Sequence, residues 1–159
     1  MKSIIAFTST FLATLNLVAA APASAAAETV SVSYDTSYDV GTSSLSTVSC
    51  SDGTYGLLTK GYTDFASLPT FPNIGGALTI PGWNSPNCGK CYALHYSSDT
   101  VDVTINVLAI DAAPSGFNIG LQAMNTLTNG QAEQLGRVDV TYVEVDASAC
   151  GLMIHECVG

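Results

Sequence analysis

The residues of this chain with chemistry to offer cluster between Trp83 and Asn118. Cys88-Gly-Lys-Cys91 sets two thiols at a spacing that suits a thiol exchange pair or half of a zinc site. An alternating segment from Val101 to Ile110 then delivers Asp111 into Ala112-Ala-Pro-Ser-Gly-Phe-Asn118. A carboxylate at a strand end can accept a hydroxyl from a sugar, act as a lone acid, or stabilise the turn that follows, and the residues alone leave all three open. Asp35, in a Tyr-Asp pair, is the candidate second carboxylate, whereas Asp52 in Ser51-Asp52-Gly53 has the composition of a turn. His95 stands alone in a strand and reads as structural. No Ser-His-Asp order, metal cluster or phosphate loop is legible, so no cofactor or metal is expected.

Elements must position these groups. Val30-Ser-Val-Ser-Tyr34 alternates with period two and reads as a first strand ending at Asp35. Leu45 to Cys50 reads as a second strand closed by the turn at Ser51-Asp52-Gly53. Thr63 to Leu68, with Asp64 near its start, suits one or two helical turns stopped by Pro69. Pro72 to Trp83, with Gly75-Gly76 and Pro81-Gly82, reads as loop. Tyr92 to Tyr96 is a strand, and the central strand follows, with Val101, Val103, Ile105, Val107 and Ala109 on one face. Leu108 and Ile110 then make its second face apolar, and Val143 and Val145 repeat the change after Val138, Val140 and Tyr142. A closed barrel of bent strands requires this. Between the two, Ile119, Ala123, Met124 and Leu127 recur at helical spacing, with Asn118 where an N-cap belongs. That helix ends by Asn129-Gly130, and Gln131 to Leu135 forms a second turn before Gly136.

A chain of 159 residues suits one domain. Lys2 followed by the apolar run Ile4 to Ala21 and the small residues Ala21-Pro-Ala-Ser-Ala25 reads as a secretory signal at residues 1–20, cleaved between residues 20 and 27. The run is short and polar-punctuated for a bilayer span. Beyond Lys2 only Lys60, Lys90 and Arg137 oppose nine Asp and four Glu. Such a surface repels phosphate backbones and anionic lipid, which excludes nucleic acid and membrane surfaces as partners. Its polar residues are mostly Ser, Thr, Asn and Gly with scattered Tyr, which suits neutral polysaccharides or simply a protease-resistant surface. A pyranose can stack its C–H face on an aromatic ring, and Tyr34, Tyr38, Trp83 and Phe117 are the candidates. Each is also a core candidate, Trp83 most of all because it precedes the cysteine turn. In a secreted chain the five cysteines should be oxidised with one left over, and spacing does not choose the pairs. His155 and Cys157 would complete a zinc site only weakly. Structural disulfides are the expectation, each worth about 3–4 kcal/mol.

The order of short signatures resembles the cerato-platanin family, small secreted fungal proteins similar in fold to the first domain of plant expansins. The matching segments are Val30-Ser-Val-Ser-Tyr-Asp35, Cys50-Ser-Asp-Gly53 with Gly56-Leu57, and Phe71-Pro-Asn-Ile-Gly-Gly76. Gly82-Trp-Asn-Ser-Pro86, Cys88-Gly-Lys-Cys-Tyr92, Gly116-Phe-Asn-Ile119, Leu135-Gly-Arg-Val138 and Cys150 complete the set. The resemblance implies a mainly β fold, a six-stranded double-psi β-barrel with short helices over residues 30–152, and bridges Cys50–Cys88 and Cys91–Cys150. Cys157 lies in a tail, residues 153–159, that departs from the family pattern, as a free or dimer-forming thiol.

The family also implies a function. Related glycan-cleaving barrels use two carboxylates, and in expansin-like sequences the acid stands where this chain has Asn118, an amide that donates no proton to a leaving oxygen. The leading expectation is therefore a secreted, partly wall-associated, non-catalytic protein that binds chitin-type oligosaccharides or wall polysaccharide, loosens it, and is perceived by plants through a receptor as a defence elicitor. Its groove would comprise Tyr34, Ser51, Asp52, Asp111, Gly116, Phe117 and Asn118. The rivals are a weak glycan-cleaving enzyme using Asp111 with Asp35, and a self-assembling surface protein linked through Cys157. The chain would be a monomer, or a dimer through that thiol. No Asn-x-Ser/Thr sequon occurs.

Overall fold

The computed structural model describes residues 27–152; the expected leader at residues 1–20 and the tail bearing Cys157 lie outside the described residues. The strands are β1 (Glu28–Tyr34), β2 (Ile74–Ala77), β3 (Cys91–Ser97), β4 (Asp102–Ala112), β5 (Phe117–Ile119) and β6 (Arg137–Val145). They close in the order β1-β5-β2-β4-β3-β6, with β1 bonded to β6. β1 with β5 and β2 with β4 are parallel, and the other neighbours are antiparallel. The expected six-stranded double-psi barrel is the fold.

The change of face in the central strand has a local cause. Gly75 lies opposite Ala109 but Gly76 opposite Asp111, so Ile110 is an extra residue on β4. A bulge of this kind turns the strand, and it lets Leu108, Ala109 and Ile110 all be buried while Asp102 and Thr104 at the other end stay exposed. The rings of Tyr92, Phe117 and Tyr142 meet edge to face with centroids 5.2–5.9 Å apart, a preferred aromatic geometry.

Three local expectations are corrected. Residues 45–50 are not a strand, because Leu45–Thr47 form a 3-10 turn. The Ser44 hydroxyl accepts from the Ser46 N–H, and Thr47 Oγ1 donates to the Ser44 carbonyl, so local side-chain bonds replace a ladder. Residues 74–77 are a buried strand rather than loop. Their two glycines are the reason, since a Cβ on Gly75 would lie 2.3 Å from the Asn118 carbonyl oxygen and one on Gly76 2.9 Å from that of Ala112. Asn118 is no N-cap; it sits in β5, and the helix α1 (Leu121–Leu127) has Gly120 at its cap. Asp39 caps it from a distance, its two carboxylate oxygens accepting from the N–H groups of Leu121 at 2.8 Å and Gln122 at 3.1 Å. Elsewhere the reading holds: Asp64 caps a 3-10 turn at Phe65–Ser67, and α2 (Ala132–Leu135) ends at Gly136.

The disulfides pair Cys50 with Cys88 and Cys91 with Cys150. Cys88 and Cys91 therefore belong to different bridges, which removes both the exchange pair and the half zinc site.

Gly116 fixes the entry to β5. Its φ is +68° and a Cβ there would lie 1.9 Å from the Ser31 carbonyl oxygen. Gly116→Ala is expected to cost about 3 kcal/mol, read as a lower denaturant midpoint at unchanged slope.

Candidate functional site

Four strands bring one residue each into a single rung. Ser33 of β1 lies opposite Asn118 of β5, Asn118 opposite Gly76 of β2, and Gly76 opposite Asp111 of β4. Adjacent strands are about 4.8 Å apart, so the rung spans roughly 14 Å, the length of a short oligosaccharide segment. At one end Ser33 Oγ donates to Asn118 Oδ1 at 3.1 Å. That bond leaves the Asn118 amide nitrogen, which has no acceptor among the described residues, available to a ligand.

Asp111 at the other end is bonded through both carboxylate oxygens. Its Oδ1 accepts from the Ser49 N–H at 2.9 Å, the Ser49 hydroxyl at 2.6 Å and the Ala112 N–H at 2.8 Å, and its Oδ2 from the Tyr38 hydroxyl at 3.1 Å. A carboxylate offers about four lone-pair positions; here Oδ1 takes three protein donors and Oδ2 takes one. The side chain is a clamp between β4, Ser49 and the 3-10 turn Thr36–Asp39. Tyr38 is only 7% exposed, with its ring 6.1 Å from that of Phe65. Burial, and then the negative charge of Asp111, push its phenol far above the usual tyrosine range.

The other expected site residues are dispersed in role. Asp35 caps its own turn by accepting from the Ser37 N–H at 2.8 Å, so Asp111 and Asp35 both serve internal donors. Phe117 is 1% exposed and supports the rung from within the core; as a stacking ring it is corrected, because no face is open. Gly116 is buried as well, while Tyr34, Ser51 and Asn118 are half-buried and Asp52 is exposed.

Trp83 reverses its expectation. It is 64% exposed, although burying such a side chain would stabilise the fold by about 2–3 kcal/mol. Its indole Nε1–H donates to Asp52 Oδ1 at 2.6 Å, a short bond of the charge-assisted kind. The signal was in the sequence: Trp83 stands between Pro81-Gly82 and Pro86, with no alternating apolar neighbours to carry it inward. Tyr38 gave no such signal, since its partner Asp111 is remote in the chain. Among the described residues no group of three or more His, Cys, Asp or Glu is placed to hold a metal ion, and no helix is long and apolar enough to cross a membrane.

Comparison with known proteins places this geometry. The family model described as cerato-platanin matches residues 30–152. The chain belongs to the cerato-platanin family. It is similar to the protein named "Allergen Asp f 15" of Aspergillus fumigatus, 60% identical over 121 residues that cover 76% of each chain. It is also similar to the crystal structure of cerato-platanin 1 from M. perniciosa, with TM-score 0.74 at 51% identity over 76% of this chain and 98% of that one. The solution structure of the fungal elicitor cerato-platanin gives TM-score 0.66 at 38% identity over 76% and 96%.

Two outcomes follow for this cerato-platanin barrel. Asp111→Asn replaces an acceptor in the clamp with a donor and is expected to lower stability by about 2 kcal/mol in denaturant unfolding. Above about pH 10, where an ordinary tyrosine ionises, the unfolded chain loses a proton that folded Tyr38 keeps. Stability therefore falls as pH rises through that range. Tyr92 and Tyr142 are raised in the same direction, also chiefly by burial, so Tyr38→Phe should flatten the alkaline loss without abolishing it. Thermal midpoints recorded against pH would measure the difference.

Proposed function

We propose that this is a secreted carbohydrate-binding protein that holds chitin-type oligosaccharides or related wall polysaccharide along the Ser33–Asn118 end of the rung without cleaving them. The observation that carries the reading is the division of labour there. The one carboxylate on the rung, Asp111, is committed to the fold by four protein donors, whereas the neighbouring amide nitrogen of Asn118 has no acceptor among the described residues. Neutral donors and acceptors suit sugar hydroxyls and N-acetyl groups, which exchange hydrogen bonds with water at little net cost. Hydrolysis by paired carboxylates needs one acid and one base free to face a scissile bond. Asp111 is committed to four protein donors, and exposed Asp35 gives Oδ1 to the cap of its own turn.

Binding of this kind loosens a wall by competition. A protein that takes over the hydrogen bonds of one polysaccharide chain releases its neighbour, and no covalent step is required. One solved relative is described as a fungal elicitor, which supports perception of the same barrel by a plant receptor. Tyr34, Ser51 and Asp52 keep exposed surface as candidate contacts, whereas Gly116 and Phe117 are buried and Asp111 serves the clamp.

The test is a titration with soluble chitin oligomers that follows backbone amide shifts and assays the same samples for new reducing ends. Shifts centred on Ser33 and Asn118 without new reducing ends are expected. Asn118→Ala should weaken binding about two- to tenfold, the worth of one hydrogen bond. New reducing ends would overturn the non-catalytic reading.

A further inference from the structure

Trp83 is held in a way that the fold itself does not require. Its one polar atom is turned to Asp52, so its hydrocarbon surface is what meets solvent, at 64% exposure. One edge of the ring also lies against the neighbouring loop. A Cβ on Gly53, whose φ is +84°, would lie 3.2 Å from the ring atom Cζ2 and 2.6 Å from Asn84 Oδ1, so the loop backbone closes against the indole edge. Asn84 Oδ1 accepts from the Tyr55 N–H at 3.0 Å and ties the two loops together, while Cys50–Cys88 staples them at their base. Tyr55 on the same loop is itself 43% exposed. An aromatic face fixed before any ligand arrives loses little freedom on binding.

We propose that Trp83 is a stacking platform for a pyranose ring, a contact surface additional to the rung and resting on the reading that this chain takes neutral glycans. The chemistry beside the ring selects that ligand. Asp52 Oδ2 has no donor among the described residues, so a sugar covering the indole with its C–H face can give that oxygen a hydroxyl or an amide N–H. An apolar partner or a lipid surface over the same ring would strip water from the carboxylate without replacing it, which is costly. The rung and the platform are joined through the chain: Ser49 is bonded to Asp111, Cys50 to Cys88, and Asp52 to Trp83.

Trp83 is the only tryptophan of the chain, so indole emission reports this ring alone. The protein is titrated with the soluble tetramer of N-acetylglucosamine while emission and the Asn118 amide are both followed. A saturable emission change with the midpoint of the amide shift is expected. Trp83→Ala should raise the Kd by roughly tenfold, and Trp83→Phe, which keeps a ring face, should recover most of it. An amide shift with silent emission, or unchanged affinity in Trp83→Ala, overturns the platform and leaves the rung standing. Silence in both overturns the platform and the glycan reading together. An emission change with neutral phosphatidylcholine vesicles but none with the sugar overturns it in favour of a lipid surface.

Discussion

The carboxylate of Asp111 is the interaction on which the rest of this face depends. Residues 35–73 cross the barrel without contributing a strand, and a segment so long and irregular holds its shape only with a core and anchors of its own. Leu45, Val48, Leu57, Phe65 and Leu68 supply the core. Asp111 is the anchor that ties the first half of the segment to β4 at two points, Tyr38 and Ser49. Hydrogen bonds to a charged acceptor are worth more than neutral ones, and four converge here. The clamp also fixes where Cys50 meets Cys88, because Cys50 follows Ser49 directly and its N–H donates to Ile110 beside the clamp.

The acidity of the chain takes on a different meaning in this light. Asp35, Asp64 and Asp146 each cap a 3-10 turn, Asp39 caps α1, and Asp111 is the clamp. Much of the negative charge is thus a means of satisfying backbone N–H groups in a fold rich in short turns and poor in long helices. Around the rung the groups facing solvent are the amide of Asn118, hydroxyls, exposed Asp35 and the exposed guanidinium of Arg137, which lies opposite Ser33 and donates to Ser31 Oγ.

The bridge Cys50–Cys88 and the loops above it show how a small barrel fixes an exposed ring. Bonds within the 50–58 loop, such as Leu57 N–H to the Cys50 carbonyl and Leu58 N–H to the Ser51 carbonyl, shape the loop. Asn84, in left-handed backbone at φ +55°, aims its side chain at Tyr55. Rigidity comes from loops bonded to each other, not from a sheet beneath them.

By itself the sequence determined the strands β1, β4 and β6 through their alternating apolar residues, and a change of face along two of them that a closed barrel requires; the six-stranded barrel itself came with the family resemblance. Helix limits at Asn129-Gly130 and Gly136 and the capped turn at Asp64 were equally legible, since these signals act over three or four residues. The family pattern supplied the disulfide pairing, which spacing could not. Only the tertiary structure decided the rest. Gly75-Gly76, a loop signal locally, is strand because two neighbouring backbones need the room of a Cβ, and Leu45–Cys50 is not strand because nearby hydroxyls outbid a ladder. Asp111 could have been acid, ligand or clamp until Tyr38 and Ser49, 73 and 62 residues away, were seen to donate to it. Phe117, both a core and a stacking candidate in the sequence, is core because the rings of Tyr92 and Tyr142 close over it from segments distant in the chain.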